Sequence, residues 1–382
     1  MHILPCTSRE ALALSLSQMY SVSKLLLTGK QYDSLGELTR EAERGRCRID
    51  SIGNKTLQKF RAAALVDIDH ELKRMEKLGI TPLIYGEEGY PVPLTEGVHD
   101  PPLVLYVRGD CSVLLDQAVA VVGTRTPSGG GRRLARRLGE DLARFPFVVV
   151  SGLASGVDAI AHEACLKAGG RTVAVLAHGL HTVHPRAHQQ LADRIIERGG
   201  ALVSEYPPGE PARKSTFVPR NRIIAALSIA TVVVEGGVKS GARHTADFAL
   251  EYERLVLAIP GNPIEPMAAL PNRLIREKRA ELCRGLEDVL ASLPHYTIDG
   301  LRDAIDMRAR MLTKKAGQAL DLLGPDARQL MEQIGTDPLH VDDLCRLTAL
   351  ETSRILSLLL QMEIEGLVEQ LPGMRYVANY RP

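Results

Sequence analysis

Residues 118–152 read AVAVVGTRTPSGGGRRLARRLGEDLARFPFVVVSG. A run of valine and alanine precedes a glycine-rich turn, a stretch with helical spacing follows, and a second valine run closes the segment. This strand–turn–helix–strand order is typical of a βαβ unit, in which parallel strands are apolar because both faces of the sheet are covered. The stretch therefore predicts a parallel sheet whose ligands bind at the carboxyl ends of its strands.

The same alternation extends over residues 81–293. Apolar runs rich in β-branched residues recur there, and helical segments lie between most of them. The runs that we predict as strands cover residues 103–107, 118–122, 147–150, 172–176, 230–235 and 255–259. The predicted fold class is therefore α/β, with a doubly wound, mostly parallel sheet over residues 81–293.

Three further regions flank this domain. Residues 1–80 read as short helices, and SIGNKTLQKF at 51–60 faintly resembles a helix-hairpin-helix element within a small N-terminal helical domain. Residues 294–316 are polar with scattered basic residues, which predicts a linker. Residues 317–382 show three helical segments followed by a short hairpin, the order of a C-terminal winged-helix domain.

The composition limits the possible functions. The 382 residues carry a formal net charge of +1, so no global basic field attracts nucleic acid, and any polyanion site must be local. No apolar run approaches the ~18 residues of a membrane span, and the N-terminus lacks a signal-peptide pattern. We therefore predict a cytoplasmic protein.

Cysteines and histidines do not predict a metal site. The six cysteines are scattered without a C-x-x-C pair, which indicates neither a zinc site nor a disulfide framework. His178, His181, His184 and His188 crowd one segment, but no cysteine or carboxylate completes a set at metal-ligand spacing. We interpret that segment as a variable loop and predict no bound metal.

The glycine-rich turn at 123–131 is the first candidate binding loop. Glycines between a strand and a helix let backbone amides approach an anion, with the helix dipole behind them. The turn is neither a Walker A loop nor a dinucleotide fingerprint. Arg125 lies inside it and is predicted to contact the ligand, whereas the arginines at 132, 133, 136 and 137 form either a solvated face or a ligand-binding face of the helix.

The second candidate loop follows the strand at 147–150. Ser151, Gly152 and Gly156 shape a strand-to-helix turn, and Asp158 and His162 are four residues apart on the helix that follows. That spacing fits an acid–base pair or hydrogen bonds that fix the loop. We favour the hydrogen bonds, because no nucleophile or second base accompanies the two residues.

The third loop is ARKSTFVPRNRIIAALS at 212–228. Pro219 stiffens the approach, and we expect Asn221 to cap a helix that begins near Arg222. An aromatic ring that stacks on a base, with cations for the flanking phosphates, is typical of single-stranded nucleic-acid binding. For Arg222 two roles stay open, a DNA contact and a structural ion pair with a buried acid such as Glu235.

The fourth loop is EGGVKSGARHTA at 235–246. Its glycines, with Ser240 and Gly241, form a turn whose backbone amides can receive a phosphate at the start of a helix.

Taken together, these loops resemble the DNA-processing protein A (DprA/Smf) family. The motifs that carry the resemblance are VGTR (122–125), SGLASGVDAIAH (151–162), FVPRNRII (217–224), EGGVKSGARHTA (235–246) and PGN (260–262). Their order and spacing hold over about 200 residues. Two positions depart from the family pattern: AALPNRLIREKRA at 268–280 lacks the usual serine and glycines, and His184 stands where a tyrosine is common.

The resemblance implies an extended Rossmann-like fold that binds single-stranded DNA, dimerises and hands DNA to the RecA recombinase during natural transformation. It implies no catalytic activity and no cofactor. By motif it assigns DNA contacts to the VGTR turn, to Phe217 and Arg220, and to Lys214. With the loop residues above, the predicted DNA-binding set is Gly123, Thr124, Arg125, Ser151, Gly152, Lys214, Phe217, Arg220, Asn221, Arg222, Ser240 and Gly241.

Two other function classes are possible. A nucleotide-processing enzyme on the same frame, similar to phosphoribohydrolases, would need a catalytic acid in the phosphate turn, and 235–246 has none at the matching place. A transcription regulator would read DNA through the winged helix. Its predicted recognition helix carries Glu351, Glu363 and Glu365 against one Arg354, which suits a major groove badly.

Overall fold

A computed structural model describes residues 7–20, 22, 37, 40–41, 44, 54–293, 317–335, 338–365 and 367–378. The chain divides into two compact units, Met1–His295 and Tyr296–Pro382, and each is described by itself. The predicted linker at 294–316 lies outside the described residues.

The first unit is built on one large sheet. Its described strands are β1 Ile80–Ile84, β2 Val104–Gly109, β3 Ala118–Val122, β4 Val148–Ser151, β5 Thr172–Val175, β6 Ala201–Ser204, β7 Ala230–Val233, β8 Leu255–Ala258 and β9 Glu281–Leu282. Their order is β1-β2-β6-β5-β4-β3-β7-β8-β9. From β3 the chain winds outward through β4, β5 and β6 on one side and through β7 and β8 on the other, all in parallel. The predicted doubly wound, mostly parallel sheet is confirmed, and its topological switch point lies between β3 and β7.

The predicted strands are present, but β1, β6 and β9 were not predicted. β1 and β2 run antiparallel to their neighbours, so they extend the parallel sheet at one side. Pro82 lies in β1, where it is tolerated because this strand forms the sheet edge. β6 is only ALVS and β9 only two residues long. Such short pieces carry too little periodicity to be recognised in the sequence.

Helices cover both faces of the sheet. The described helices of this unit are α1 Ser8–Leu16, α2 Asn54–Ala63, α3 Ile68–Lys77, α4 Gly129–Arg144, α5 Val157–Lys167, α6 Gln189–Glu197, α7 Lys214–Ala226, α8 Ala242–Glu251, α9 Ala269–Arg276 and α10 Leu286–Ser292. Alternate residues of β5 belong to different cores: Ala174 packs with Phe60 of α2, and Val173 packs with Ile223 of α7. This period of two explains why the central strands are apolar throughout.

The described part of residues 1–80 shares a core with the sheet. Thr7 caps α1 by accepting a hydrogen bond from the amide of Glu10. Leu12 of α1 and Met75 of α3 are buried in the same cluster as Tyr106 of β2. The Tyr106 hydroxyl also donates to Ser15 Oγ at 2.9 Å. These helices therefore pack as part of the first unit.

The second unit has the predicted winged-helix fold. Its helices are α11 Pro325–Gln333, α12 Val341–Thr348 and α13 Thr352–Ile364, and its strands are β10 Leu339–His340, β11 Val368–Leu371 and β12 Arg375–Ala378. The strands form an antiparallel sheet in the order β10-β12-β11. Leu330, Leu344 and Leu358 are fully buried, one from each helix, and form the core. Nowhere in the described parts of either unit is a helix both long and apolar enough to cross a membrane.

Candidate nucleic-acid interface

A cavity of about 420 Å³ opens at the switch point of the sheet. It lies where the loops after β3, β4 and β7 meet α7, which is the place where open parallel sheets bind ligands. Of the predicted site residues, it brings together Gly123, Thr124, Arg125, Phe217, Arg220, Asn221, Ser240 and Gly241. It does not include Ser151, Gly152, Lys214 or Arg222.

The turn after β3 is fixed by its neighbours. The Thr124 amide donates to the backbone oxygen of Glu235 at 2.8 Å, and the Val157 amide donates to that of Thr124 at 3.2 Å. A Cβ on Gly123 would lie 2.6 Å from Val157 Cγ2, so only glycine fits there. This close packing sets the position of the next two residues, Thr124 and Arg125.

The N-terminus of α4, where we predicted that backbone amides approach an anion, already holds a side chain of the protein. The Glu235 carboxylate occupies it, accepting from the Ser128 amide at 2.9 Å and from Ser128 Oγ at 2.5 Å. Ser128 in turn caps α4 by accepting from the Gly131 amide. A Cβ on Gly131 would lie 2.2 Å from Glu235 Oε2. The protein's own carboxylate thus fills the place where a strand–turn–helix unit would hold a phosphate.

Arg125 is an exposed cation of the cavity, on the turn after β3. Its guanidinium carbon lies over the Phe217 ring, 5.7 Å from the centroid, a cation–π contact. It forms no ion pair with any residue that the structure describes. The guanidinium is therefore available to an anionic ligand.

Phe217 lies on a helix that begins earlier than we predicted. α7 starts at Lys214, so the expectation that Asn221 caps a helix near Arg222 is wrong. The Thr216 hydroxyl explains the early start, because it accepts from the Arg213 amide and donates to the backbone oxygen of Ala177 at 2.6 Å. This anchors the first turn, and Pro219 is tolerated inside the helix.

Asn221 faces the cavity instead of capping a helix. Its side-chain oxygen accepts from Arg220 Nε at 3.2 Å, and its amide nitrogen donates to the Gly241 oxygen at 3.3 Å. Asn221 therefore links α7 to the turn that precedes α8.

Arg220, which we expected to meet phosphate, is turned into the protein. It is 5% exposed, and its Nη1 donates to the backbone oxygens of Gly152, at 2.9 Å, and of Val175. Burial lowers the pKa of Arg220 to about 10. A Cβ on Gly152 would lie 2.7 Å from the guanidinium. Arg220 and Gly152 form a packing pair that joins α7 to β4 and β5.

Of the two roles left open for Arg222, the structure shows the buried ion pair, but the acids are Glu205 and Asp100 instead of Glu235. It is 4% exposed, and Nη2 lies 2.5 Å from Glu205 while Nε lies 2.8 Å from Asp100. Burial lowers the pKa of Arg222, but the two carboxylates raise it by more, so the guanidinium stays charged. The pair predicted with Glu235 does not form. Arg222 has no surface to offer to DNA.

Asp158 and His162 form separate hydrogen bonds. Asp158 Oδ2 accepts from the amides of Gly152 and Ala154, which confirms the reading that it fixes the loop. His162 Nδ1 lies 2.6 Å from the Thr172 hydroxyl. Since that hydroxyl donates to the oxygen of Val149, we assign the imidazole as the donor and as neutral. Burial raises the pKa of Asp158 and lowers that of His162 to about 3.

The other predicted residues divide in the same way. Ser151 is fully buried and donates to the backbone oxygen of Val121, so it is structural. Lys214 is exposed at the first residue of α7. Ser240 and Gly241 precede α8, and Ser240 Oγ accepts from the amide of Ala242 at 3.4 Å. Sequence reasoning missed Lys239, an exposed cation that lines the cavity beside them. Its place in the glycine-rich loop was the available signal.

The histidine-rich segment shows no metal site among the described residues, where no group of three or more His, Cys, Asp or Glu side chains could hold an ion. One of its members contacts a residue that lines the cavity. The His184 ring lies edge-on to Phe217, with centroids 6.1 Å apart.

Comparison with known proteins agrees with this architecture. A family model described as DNA recombination-mediator protein A matches residues 81–294, and one described as the DprA winged helix domain matches residues 314–374. The chain belongs to the DNA recombination-mediator protein A family. The resemblance inferred from the loop motifs is thereby confirmed.

Relatives in this family are similar over most of their own length. The DNA processing protein DprA of Bacillus subtilis is 39% identical over 221 residues, which are 58% of this chain and 73% of that protein. The X-ray structure of DNA processing protein A from Streptococcus pneumoniae matches with a TM-score of 0.65 at 32% identity, covering 76% of this chain and 99% of that one. DNA processing protein A from Helicobacter pylori, whose structure concerns its single-stranded DNA binding mode, matches with a TM-score of 0.50 at 28% identity, covering 55% and 93%.

Proposed function

We propose that the chain binds single-stranded DNA in the cavity at the switch point and catalyses no reaction on it. One observation carries the proposal: Arg125, exposed and without an ion pair among the described residues, lies 5.7 Å over the half-buried Phe217 ring at the carboxyl ends of β3 and β7. A cation beside an aromatic ring suits a phosphate next to a base. The single-stranded DNA binding mode of the Helicobacter pylori relative supports it.

The phosphate has two places to bind in the cavity. The Arg125 guanidinium can form charge-assisted hydrogen bonds with phosphate oxygens. The second place is the start of α8, where the positive end of the helix dipole attracts an anion, although the first amides already donate to oxygens of Ser240 and Gly241. Neither contact reads a base, so binding is expected to be insensitive to sequence and sensitive to salt.

The absence of a free acid supports a non-catalytic role. Among the residues that line the cavity, Asp158 is the carboxylate, and its Oδ2 already accepts from two backbone amides. A phosphoribohydrolase-like reaction would need a carboxylate that faces the substrate. Incubation with nucleoside monophosphates should therefore release no free base, and measurable release would contradict this part of the proposal.

The remaining role follows the family. We propose that the protein is a cytoplasmic homodimer that protects incoming DNA and loads the RecA recombinase during natural transformation. For the winged-helix unit we propose a protein contact, because Arg354, the basic residue of α13, is paired with Asp326 at 2.9 Å. A helix without a free cation is a poor reader of DNA.

Titration with labelled single- and double-stranded oligonucleotides at two salt concentrations tests the proposal. We expect tighter binding of the single strand, a steep salt dependence, and a dimer by light scattering. Equal affinity for the duplex, or no binding at low salt, would contradict the assignment. Formation of RecA filaments on the bound strand tests the mediator role separately.

A further inference from the structure

We propose that His184 forms a stacking subsite for a nucleobase beside Phe217, an inference that rests on the proposed binding of single-stranded DNA. The histidine-rich segment has no part in the function described so far. Its His184 is exposed, and its imidazole meets the Phe217 ring at 66°.

The surroundings of Phe217 point to a second flat surface. The buried Arg220 guanidinium lies over the Phe217 ring at 5.9 Å, and the Arg125 guanidinium lies over it at 5.7 Å. Phe217 is itself half-buried. The Phe217 ring therefore already has two guanidinium neighbours. An exposed aromatic ring next to it gives a base a more accessible face.

His184 is not stacked in parallel on Phe217. The two rings meet edge to face, with centroids 6.1 Å apart, so Phe217 does not stack on the imidazole. His178 also meets the imidazole at a steep angle, 87°, with centroids 6.3 Å apart. Neither neighbour stacks in parallel on the imidazole, and the side chain stays exposed.

The segment that carries His184 is anchored in the core. Leu180 and Val183 are 1% and 4% exposed and pack in the cluster under α6. His178 is 1% exposed, and its Nδ1 lies 3.0 Å from the backbone oxygen of Gly179. The imidazole is thus presented by a packed turn, so little order has to be imposed when a base binds.

The chemistry favours a base of the DNA strand as the ligand. Histidine is one of the side chains on which unstacked bases pack in single-stranded nucleic-acid complexes. Stacking uses the π face that every base has, so the subsite would not select a sequence. A base on His184 would be the neighbour of the nucleotide whose phosphate meets Arg125.

The test compares His184→Ala, His184→Phe and the matched control Thr182→Ala, an exposed residue of the same turn. Affinity for labelled oligothymidylate is measured by fluorescence anisotropy at several salt concentrations. We expect His184→Ala to weaken binding by about 5- to 150-fold, the range for one stacked base. His184→Phe should bind like the wild type because it keeps a flat ring, and Thr182→Ala should also bind normally. The salt dependence of His184→Ala should equal that of the wild type, because stacking releases no counterions.

Several outcomes would overturn the subsite. Wild-type affinity in His184→Ala would do so, as would an equal loss in His184→Phe or in Thr182→Ala. A shallower salt dependence in His184→Ala would show a phosphate contact instead of stacking. If the wild-type protein binds the strand and only the His184 variants behave unexpectedly, this inference fails and the proposed function stands. If the wild type does not bind, the proposed function itself fails.

Discussion

The turn after β3 and helix α7 both place arginines near the same cavity, yet they use them in opposite ways. Arg125 of the turn is exposed and free of ion pairs in the described structure, while Arg220 and Arg222 of the helix are 5% and 4% exposed and bonded to partners inside the protein. The side chains are chemically identical. The proposed ligand contact, Arg125, differs from the two structural arginines in its exposure and in the partners that burial supplies to them.

The largest difference should appear in stability. Arg222→Ala leaves Glu205, which is 2% exposed, without its cation. We expect the free energy of unfolding to fall by about 3–5 kcal/mol, as when one partner of a buried pair is removed. Urea denaturation measures this. The matched control is Arg243→Ala, whose pair with Asp247 is at the surface and should change stability by about 1 kcal/mol or less. Equal losses of unfolding free energy in both variants would show that burial of the Arg222 ion pair does not matter for stability.

The packing of Arg220 gives a second contrast. Gly152→Ala places a Cβ 2.7 Å from the Arg220 guanidinium, and we expect it to cost about 1–3 kcal/mol of stability by overpacking. Part of that loss should disappear in an Arg220→Ala background, because the clashing group is gone. Gly241→Ala is the control, since a Cβ there meets nothing within 4 Å. A loss that is the same in both backgrounds would show that the contact is unimportant.

Substitution of Arg125 should weaken DNA binding and leave stability nearly unchanged. We expect Arg125→Ala to weaken binding of single-stranded DNA by about 1–3 kcal/mol, as for a charged hydrogen bond. The slope of log affinity against log salt should become shallower by about 0.7, the value for one phosphate on a single strand. The unfolding free energy should stay within about 0.5 kcal/mol of the wild type. Unchanged affinity in a folded variant would defeat the site assignment.

The smallest effect should come from His162, which is buried in the core, in contrast to the exposed His184. Burial lowers the pKa of His162 to about 3, below the ordinary value near 6.5. Between these values the unfolded chain binds a proton that the folded chain does not, so stability falls as the pH falls from about 6.5 towards 3. The loss is about 1.4 kcal/mol one unit below 6.5. Unfolding curves at several pH values should show a smaller acid loss in His162→Gln, and an identical loss would contradict the assignment.

The sequence predicted the sheet and one part of the cavity well. Strands such as AVAVV and ATVVV are recognisable because burial on both faces requires continuous apolar runs. Arg125 could be placed at the cavity because it lies in the short turn between β3 and α4, at the carboxyl end of a parallel strand. The loops after β3 and β7 converge because the carboxyl ends of parallel strands share one edge.

The roles of the other arginines could not be predicted. Arg220 meets carbonyls of Gly152 and Val175, which are 68 and 45 residues away, and Arg222 meets Asp100 across 122 residues. No local pattern encodes such partners. Pro219 misled the prediction of the helix start, since the anchor at Thr216 that permits an earlier start depends on the distant Ala177.

The carboxylate of Glu235 at the start of α4 has a consequence for selectivity in the cell. It is a built-in surrogate for a phosphate, held there by the amide and hydroxyl of Ser128. Free nucleotides bind strand–turn–helix proteins through a phosphate at that position, and here the position is already occupied. A DNA strand loses less from this, because it can sum weak contacts over several nucleotides. We therefore expect the Glu235 carboxylate to favour binding of a DNA strand over binding of free nucleotides.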